Sequence, residues 1–260
     1  MIRIREAAAR WIPMLATVVL LAAVPGCGAS GPSAPTGETI TVFAAASLKK
    51  SFTEIGDQFS KDNPGASVEF SFAGSADLVT QLTQGAHADV LASADARNMD
   101  KATKAGLLAG DPVNFASNTL TIAVAPGNPK AINGFRDLGR AGLNVVVCAP
   151  QVPCGSAAQK IEAETGVTLN PVSEESSVTD VLNKVSSGQA DAGLVYVTDT
   201  AAAGAKVTAV PFPEAAGAVN TYPIATLAQA GNPDLAGKFV DLVTGAAGQQ
   251  ILTKAGFGKP

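Results

Sequence analysis

The stretch Thr39-Ile-Thr-Val-Phe-Ala-Ala-Ala-Ser-Leu-Lys-Lys turns a strand into a helix within a few small residues. Thr39 to Phe43 alternates β-branched and apolar side chains at the period of a strand. Leu48, Phe52, Ile55 and Phe59 then fall at helical spacing. Ser47 stands where the helix begins, beside unpaired backbone N–H groups and the positive end of the helix dipole, so this corner can hold an anion. The alternative is an ordinary serine cap. Four further residues occupy similar positions: Ser75 after the run Val68 to Gly74, Cys154 after Leu143 to Cys148, Val178 ahead of Thr179-Asp-Val-Leu, and Tyr196 at the end of Ala192 to Val197. Strands alternating with helices dictate an α/β fold, and in open α/β sheets ligands bind beyond the carboxyl ends of the strands. These five residues are therefore candidates to converge on one pocket.

The chain is long enough for two lobes. Strands are expected at Thr39 to Phe43, Ser67 to Phe72 and Asp89 to Ser93. Helices follow each, the third capped by Asp95 and running from Arg97 to Ala105. Thr119 to Ala125 leads into a second lobe with strands at Leu143 to Cys148, Asn170 to Ser173 and Ala192 to Val197. Its helices are Gly155 to Thr165 and Val178 to Ser187. Val207 to Val210 and Thr221 to Ala228 are read as strands returning to the first lobe, and helices Pro233 to Thr244 and Ala246 to Lys254 close the chain. The expected division is residues 39–118 plus 208–260 for one lobe and 119–207 for the other.

Residues 1–26 carry Arg3, Arg5 and Arg10 ahead of an apolar run too short for a comfortable membrane span, the pattern of a signal peptide. Val24-Pro-Gly-Cys follows and resembles a bacterial lipobox, with Cys27 as the lipidated first residue of the mature chain; the alternative is a plain signal peptide. Residues 27–38 read as a lipid-bearing cysteine and a flexible Gly/Ser/Pro tether. Cys148 and Cys154, six positions apart across a proline-containing turn, read as a disulfide in an exported protein, the alternative being two buried thiols. His87, the one histidine, is read as a surface or lightly packed residue. A net charge of −4 and the lack of any dense Lys/Arg run argue against nucleic acid as partner.

Thr41-Val-Phe-Ala-Ala-Ala-Ser-Leu, Phe70-Ser-Phe-Ala-Gly-Ser, Ala88-Asp-Val-Leu-Ala-Ser-Ala-Asp, Val152-Pro-Cys-Gly and Gly193-Leu-Val-Tyr-Val-Thr-Asp resemble, in this order, segments of the molybdate-binding proteins of bacterial ABC importers. The resemblance spans about residues 38–258. It implies a type II periplasmic-binding-protein fold, two α/β lobes closing on a tetrahedral oxyanion, molybdate and with it tungstate. It also implies a monomer without a cofactor, no catalysis, and delivery to a permease at the outer face of the cell membrane, where the lipid on Cys27 would anchor it. Carried over, the contacts are Ser47 and Ser75 from the first lobe, Cys154 and Val178 through backbone N–H groups, and the Tyr196 hydroxyl. Molybdenum would be held only as its oxyanion, through these residues. Position 154 departs from the family, where alanine is usual, but a main-chain contact tolerates the change.

Every one of these contacts is a neutral donor, with Lys49 and Lys50 one or two helical steps beyond Ser47. Such a site suits a fully deprotonated dianion and not hydrogen phosphate, whose proton needs an acceptor. Asp77, Asp180 and Asp199 read as first-turn carboxylates stabilised by helix dipoles; the alternative makes one of them an acceptor for a protonated ligand. Sulfate or another oxyanion is the second reading. A hydrolase using Ser47 or Cys154 is the third, and it lacks an evident base.

Overall fold

The structure is a computed structural model describing residues 38–260, so the signal peptide, Cys27 and the tether up to residue 37 lie outside the described residues. In chain order it begins β1 (Glu38–Ala45), α1 (Lys49–Asp62), β2 (Ala66–Ala73), α2 (Ser75–Thr83), β3 (Val90–Ala92), α3 (Ala96–Lys104) and β4 (Val113–Asn118). Next come β5 (Leu120–Val124), β6 (Val145–Cys148), α4 (Pro153–Thr165), β7 (Ser173–Glu175), α5 (Val178–Ser186), β8 (Ala192–Tyr196), α6 (Val197–Ala203) and β9 (Thr208–Val210). β10 (Asn220–Thr226), α7 (Pro233–Thr244) and α8 (Ala246–Lys254) complete it.

The strands form two sheets of five, in the orders β2-β1-β3-β10-β4 and β7-β6-β8-β5-β9. Each sheet has three parallel strands, joined by helical crossovers, and then two strands that run by antiparallel pairing. The three strands expected between residues 39 and 93 are parallel, and β10 and β4 add the antiparallel pairs. β5, β6 and β8 are buried at every residue, as strands covered on both faces must be. α1 buries Phe52, Ile55 and Phe59 and leaves Lys49 and Lys50 in water, the amphipathic pattern of its sequence. Phe52 is fully buried among Phe70, Phe115 and Phe239, with ring centroids 5.8 to 6.3 Å away. Burial of one such ring contributes about 1.5–3 kcal/mol, so this cluster holds α1 and α7 to the sheet.

Three strands depart from expectation. Thr208–Val210 does not return to the first sheet; it pairs antiparallel with β5 in the second, and β10 is the strand that returns. β4 escapes a hydrophobic reading because Val-Asn-Phe-Ala-Ser-Asn is half polar, as an edge strand can be. β7 lies at Ser173–Glu175, just past the expected Asn170 to Ser173, its register set by pairing with β6. Among the described residues no helix is long and apolar enough to cross a membrane.

Candidate functional site

The three parallel strands of each sheet end against the same space. β1 hands over to Ser47, β2 to Ser75 and β3 to Ala94, while β6 hands over to Cys154, β7 to Val178 and β8 ends at Tyr196. All six line one pocket, together with Gly74, Val152 and Pro153. The structure thus brings together all five residues singled out in the sequence. The pocket's cavity volume is about 10 Å³, near the smallest that admits one water.

Each position has a local cause. Ser47 lies in a single 3-10 turn, Ala46–Leu48, that winds the chain from β1 into α1, and its hydroxyl lies 3.0 Å from the Tyr222 hydroxyl, either of which can donate. Ser75 is the first residue of α2 and buried; its oxygen accepts the Ala94 N–H at 3.0 Å, which leaves its own proton to give away. Cys154 lies in the first turn of α4 behind Pro153, and a disulfide ties it to Cys148 at the end of β6, with the Cα atoms 5.6 Å apart. Gly155 makes that return possible, because a Cβ there would overlap the carbonyl oxygens of Cys148 and Ala149. Val178 opens α5, whose cap Ser177 accepts the Asp180 N–H at 3.3 Å. The first N–H groups of a helix have no acceptor within it, so α2, α4 and α5 each present donors to the pocket.

Tyr196 is the most telling member. Its hydroxyl is buried beside that of Tyr222 and makes no hydrogen bond of good geometry to any protein group, although buried polar groups nearly always find one. Burial, reinforced by Tyr222 nearby, holds its pKa well above the ordinary tyrosine value, so the hydroxyl is a proton donor at any physiological pH. The two tyrosine rings meet edge to face at 6.0 Å. Tyr222 is likewise buried with its pKa pushed up, chiefly by burial.

No charged side chain lines the pocket, and Lys49 and Lys50 are exposed. Asp77 and Asp180 stand in the first turns of α2 and α5 and line a neighbouring surface depression with Lys49. Asp199 is different: it is buried in the first turn of α6, and its Oδ2 accepts the Tyr196 N–H at 2.8 Å. Burial raises its pKa from 3.8 to about 7, against the lowering effect of that hydrogen bond. It therefore holds the backbone of Tyr196 in place. His87 is exposed and lines a separate depression near Leu107 and Leu227, away from both Ser47 and Cys154. Cys154 carries no free thiol. Sequence reasoning missed Tyr222, which supports Ser47 from a strand 175 positions away and looks like any core aromatic in sequence. Ala94 and Gly74 stood inside or beside the quoted segments but offered no side-chain chemistry to notice.

Two α/β halves whose strand ends meet over one small pocket of neutral donors define a solute-binding protein. Residues 40–258 match the model of the bacterial extracellular solute-binding proteins, and the chain belongs to that family. It is 59% identical over 260 residues to the molybdate-binding protein ModA of Mycobacterium tuberculosis strain H37Rv, across 96% of this chain and 100% of that relative. Among solved structures, the periplasmic molybdate-binding protein of Azotobacter vinelandii superposes with a TM-score of 0.75 at 22% identity, covering 85% of this chain and 99% of that one. The sulfate-binding protein SubI of Mycobacterium tuberculosis H37Rv superposes with a TM-score of 0.74 at 21% identity, covering 85% and 86%.

Proposed function

We propose that the protein captures molybdate, and tungstate with it, outside the cytoplasm and delivers it to the permease of an ABC importer. It does so as a monomer, without a cofactor and without catalysis, tethered to the outer face of the membrane by a lipid on Cys27. The observation that carries this reading is the convergence of Ser47, Ser75, Tyr196 and the starts of α4 and α5 on one pocket lined by no charged side chain, with the Tyr196 hydroxyl lacking a well-formed protein hydrogen bond. The name of the 59%-identical relative supports molybdate as the anion. The lobes are then residues 39–118 with β10 and the chain beyond it, and residues 119–210 with the connection that follows.

In this reading Ser47 and Ser75 donate their hydroxyl protons, Cys154 and Val178 their backbone N–H groups, and Tyr196 its phenolic proton. Molybdenum is held only through its oxygens. Five charge-assisted bonds at roughly 1.5–3 kcal/mol each amount to about 7.5–15 kcal/mol gross. Lobe closure and lost ligand freedom reduce the upper part of this range to about −8 to −11 kcal/mol, a Kd between about a micromolar and about ten nanomolar. Sulfate is the second reading, favoured by the near-equal superposition on a sulfate-binding protein; charge and shape do not separate the two, so cavity size must. Isothermal titration of the purified protein with molybdate, tungstate, sulfate and phosphate tests both. Tight one-to-one binding of the first two with weak sulfate supports molybdate capture, and sulfate in the lead overturns it.

A further inference from the structure

We infer that Arg97 and Asn98, at the start of α3 and outside the pocket, set how long the bound anion stays by clasping the two halves of the protein together over it. The inference rests on the proposed anion binding. Asp95, the cap of α3, organises both side chains: its Oδ1 accepts the N–H and the Nδ2 of Asn98, each at 2.9 Å, and its Oδ2 lies 3.7 Å from Arg97 Nε. So anchored, Arg97 Nη2 donates to the Pro150 carbonyl at 2.9 Å and Asn98 Nδ2 to the Gln151 carbonyl at 3.3 Å.

Pro150 and Gln151 belong to the turn between β6 and α4. The Val152 N–H closes that turn onto the Ala149 carbonyl at 2.9 Å, and the Cys148 to Cys154 disulfide locks it. The same turn carries Val152, Pro153 and Cys154 into the pocket, while the segment ahead of α3 carries Ala94. One fastening therefore joins a donor segment of the second sheet to a lining segment of the first. A second contact crosses at Gly74, directly before Ser75: a Cβ on Gly74 would overlap the Ser176 carbonyl, two residues before Val178. Glycine is what lets the two backbones come this close.

Neither contact can exist unless the halves are as near as they are here, so both contribute to the closed state alone. A guest leaves only when the halves part. Weakening the clasp lowers the closed fraction and raises the apparent Kd in proportion. The effect falls on escape, because the pocket's own donors are unchanged and a free anion does not meet the clasp on arrival.

The test compares the parent with Arg97→Met, the double variant Arg97→Met/Asn98→Ala, and Arg97→Lys. Protein loaded with radioactive molybdate is chased with unlabelled excess, association is measured separately, and the radius of gyration of each ligand-free protein is taken by X-ray scattering. Arg97 is the safer site, since its side chain is 44% exposed. Arg97→Met is expected to release molybdate about threefold to tenfold faster, the worth of one net hydrogen bond. The double variant should be faster still, Arg97→Lys intermediate, with association within twofold and an unchanged melting temperature for Arg97→Met. Release within twofold of the parent in both Met variants overturns the clasp. If the parent binds no oxyanion, the ligand reading has failed and the scattering decides. A larger radius in the Met variants then sustains the clasp, and an unchanged one overturns it.

Discussion

Replacing Tyr196 by phenylalanine should move affinity and stability in opposite directions. The Tyr196 hydroxyl is buried beside that of Tyr222 without a well-formed hydrogen bond, so burial strips it of water for little in return. A buried unsatisfied group costs about 1–3 kcal/mol, and removing the oxygen while keeping the ring returns that amount. At about 2–4 °C per kcal/mol for a domain of this size, the melting temperature of ligand-free Tyr196→Phe should rise by about 2–12 °C. In the proposed complex the hydroxyl donates to a dianion, and its loss should cost about 1.5–3 kcal/mol, about 10-fold to 150-fold in Kd. The Tyr196 to Tyr222 ring contact survives, so packing contributes little to either change. Scanning calorimetry without ligand and titration with molybdate measure the two arms on one preparation. A variant that is less stable and binds as tightly as the parent would refute the reasoning, because the hydroxyl would then be a structural group with a protein partner.

Two further outcomes follow from the groups around the site. Asp199 has its folded pKa raised from 3.8 to about 7, so the native state keeps a proton that the unfolded chain releases. Its stabilising contribution is full below about pH 4 and is lost as pH rises to about 7, a change on the order of 4 kcal/mol at 1.36 kcal/mol per unit. Denaturant unfolding across pH 4 to 8 should show this fall, and Asp199→Asn should flatten it; a parallel slope in the variant removes Asp199 as its source. The Cys148→Ser/Cys154→Ser pair opens a loop of six-residue separation. Chain entropy for so short a loop gives about 2 kcal/mol, or about 4–8 °C. Molybdate affinity should drop as well, since the N–H of residue 154 loses its fixed direction, and unaltered affinity in a destabilised variant would separate the bridge from the site.

What the sequence disclosed and what it hid have different physical ranges. The five pocket residues were legible because each stands where a strand gives way to a helix within about ten positions, most plainly Ser47 and Ser75, which follow a strand and a few small residues. The hidden features depend on partners far along the chain. Thr208–Val210 has too few residues to declare its sheet, and its pairing with β5 spans some 85 positions. α6 begins at Val197 with no break after β8, so its short helical run is masked by the strand it continues. Tyr222 supports Ser47 across 175 positions, and Asn118 Nδ2 bonds Thr198 Oγ1 across 80. Such contacts are consequences of topology, which a local pattern cannot encode.

Those long-range contacts bear on which anion the pocket accepts. A serine hydroxyl can give one proton or receive one, and a site of serines would ordinarily tolerate a protonated guest such as hydrogen phosphate. Here the oxygen of Ser75 already receives the Ala94 N–H. If Tyr222 donates to Ser47, each serine oxygen has one of its two acceptor positions filled and its own proton free to turn toward the guest. Tyr196, kept protonated by burial, can donate, and the backbone N–H groups of Cys154 and Val178 can do nothing else. Discrimination against a protonated oxyanion then follows from donors turned toward the guest and partly filled acceptors, and not from charge. Tyr222→Phe frees the Ser47 oxygen without altering the pocket wall, so it should narrow the preference for molybdate over phosphate while leaving sulfate, which carries no proton, in its parental place. A uniform loss for all the anions would mean that Tyr222 only positions Ser47 and does not set its polarity.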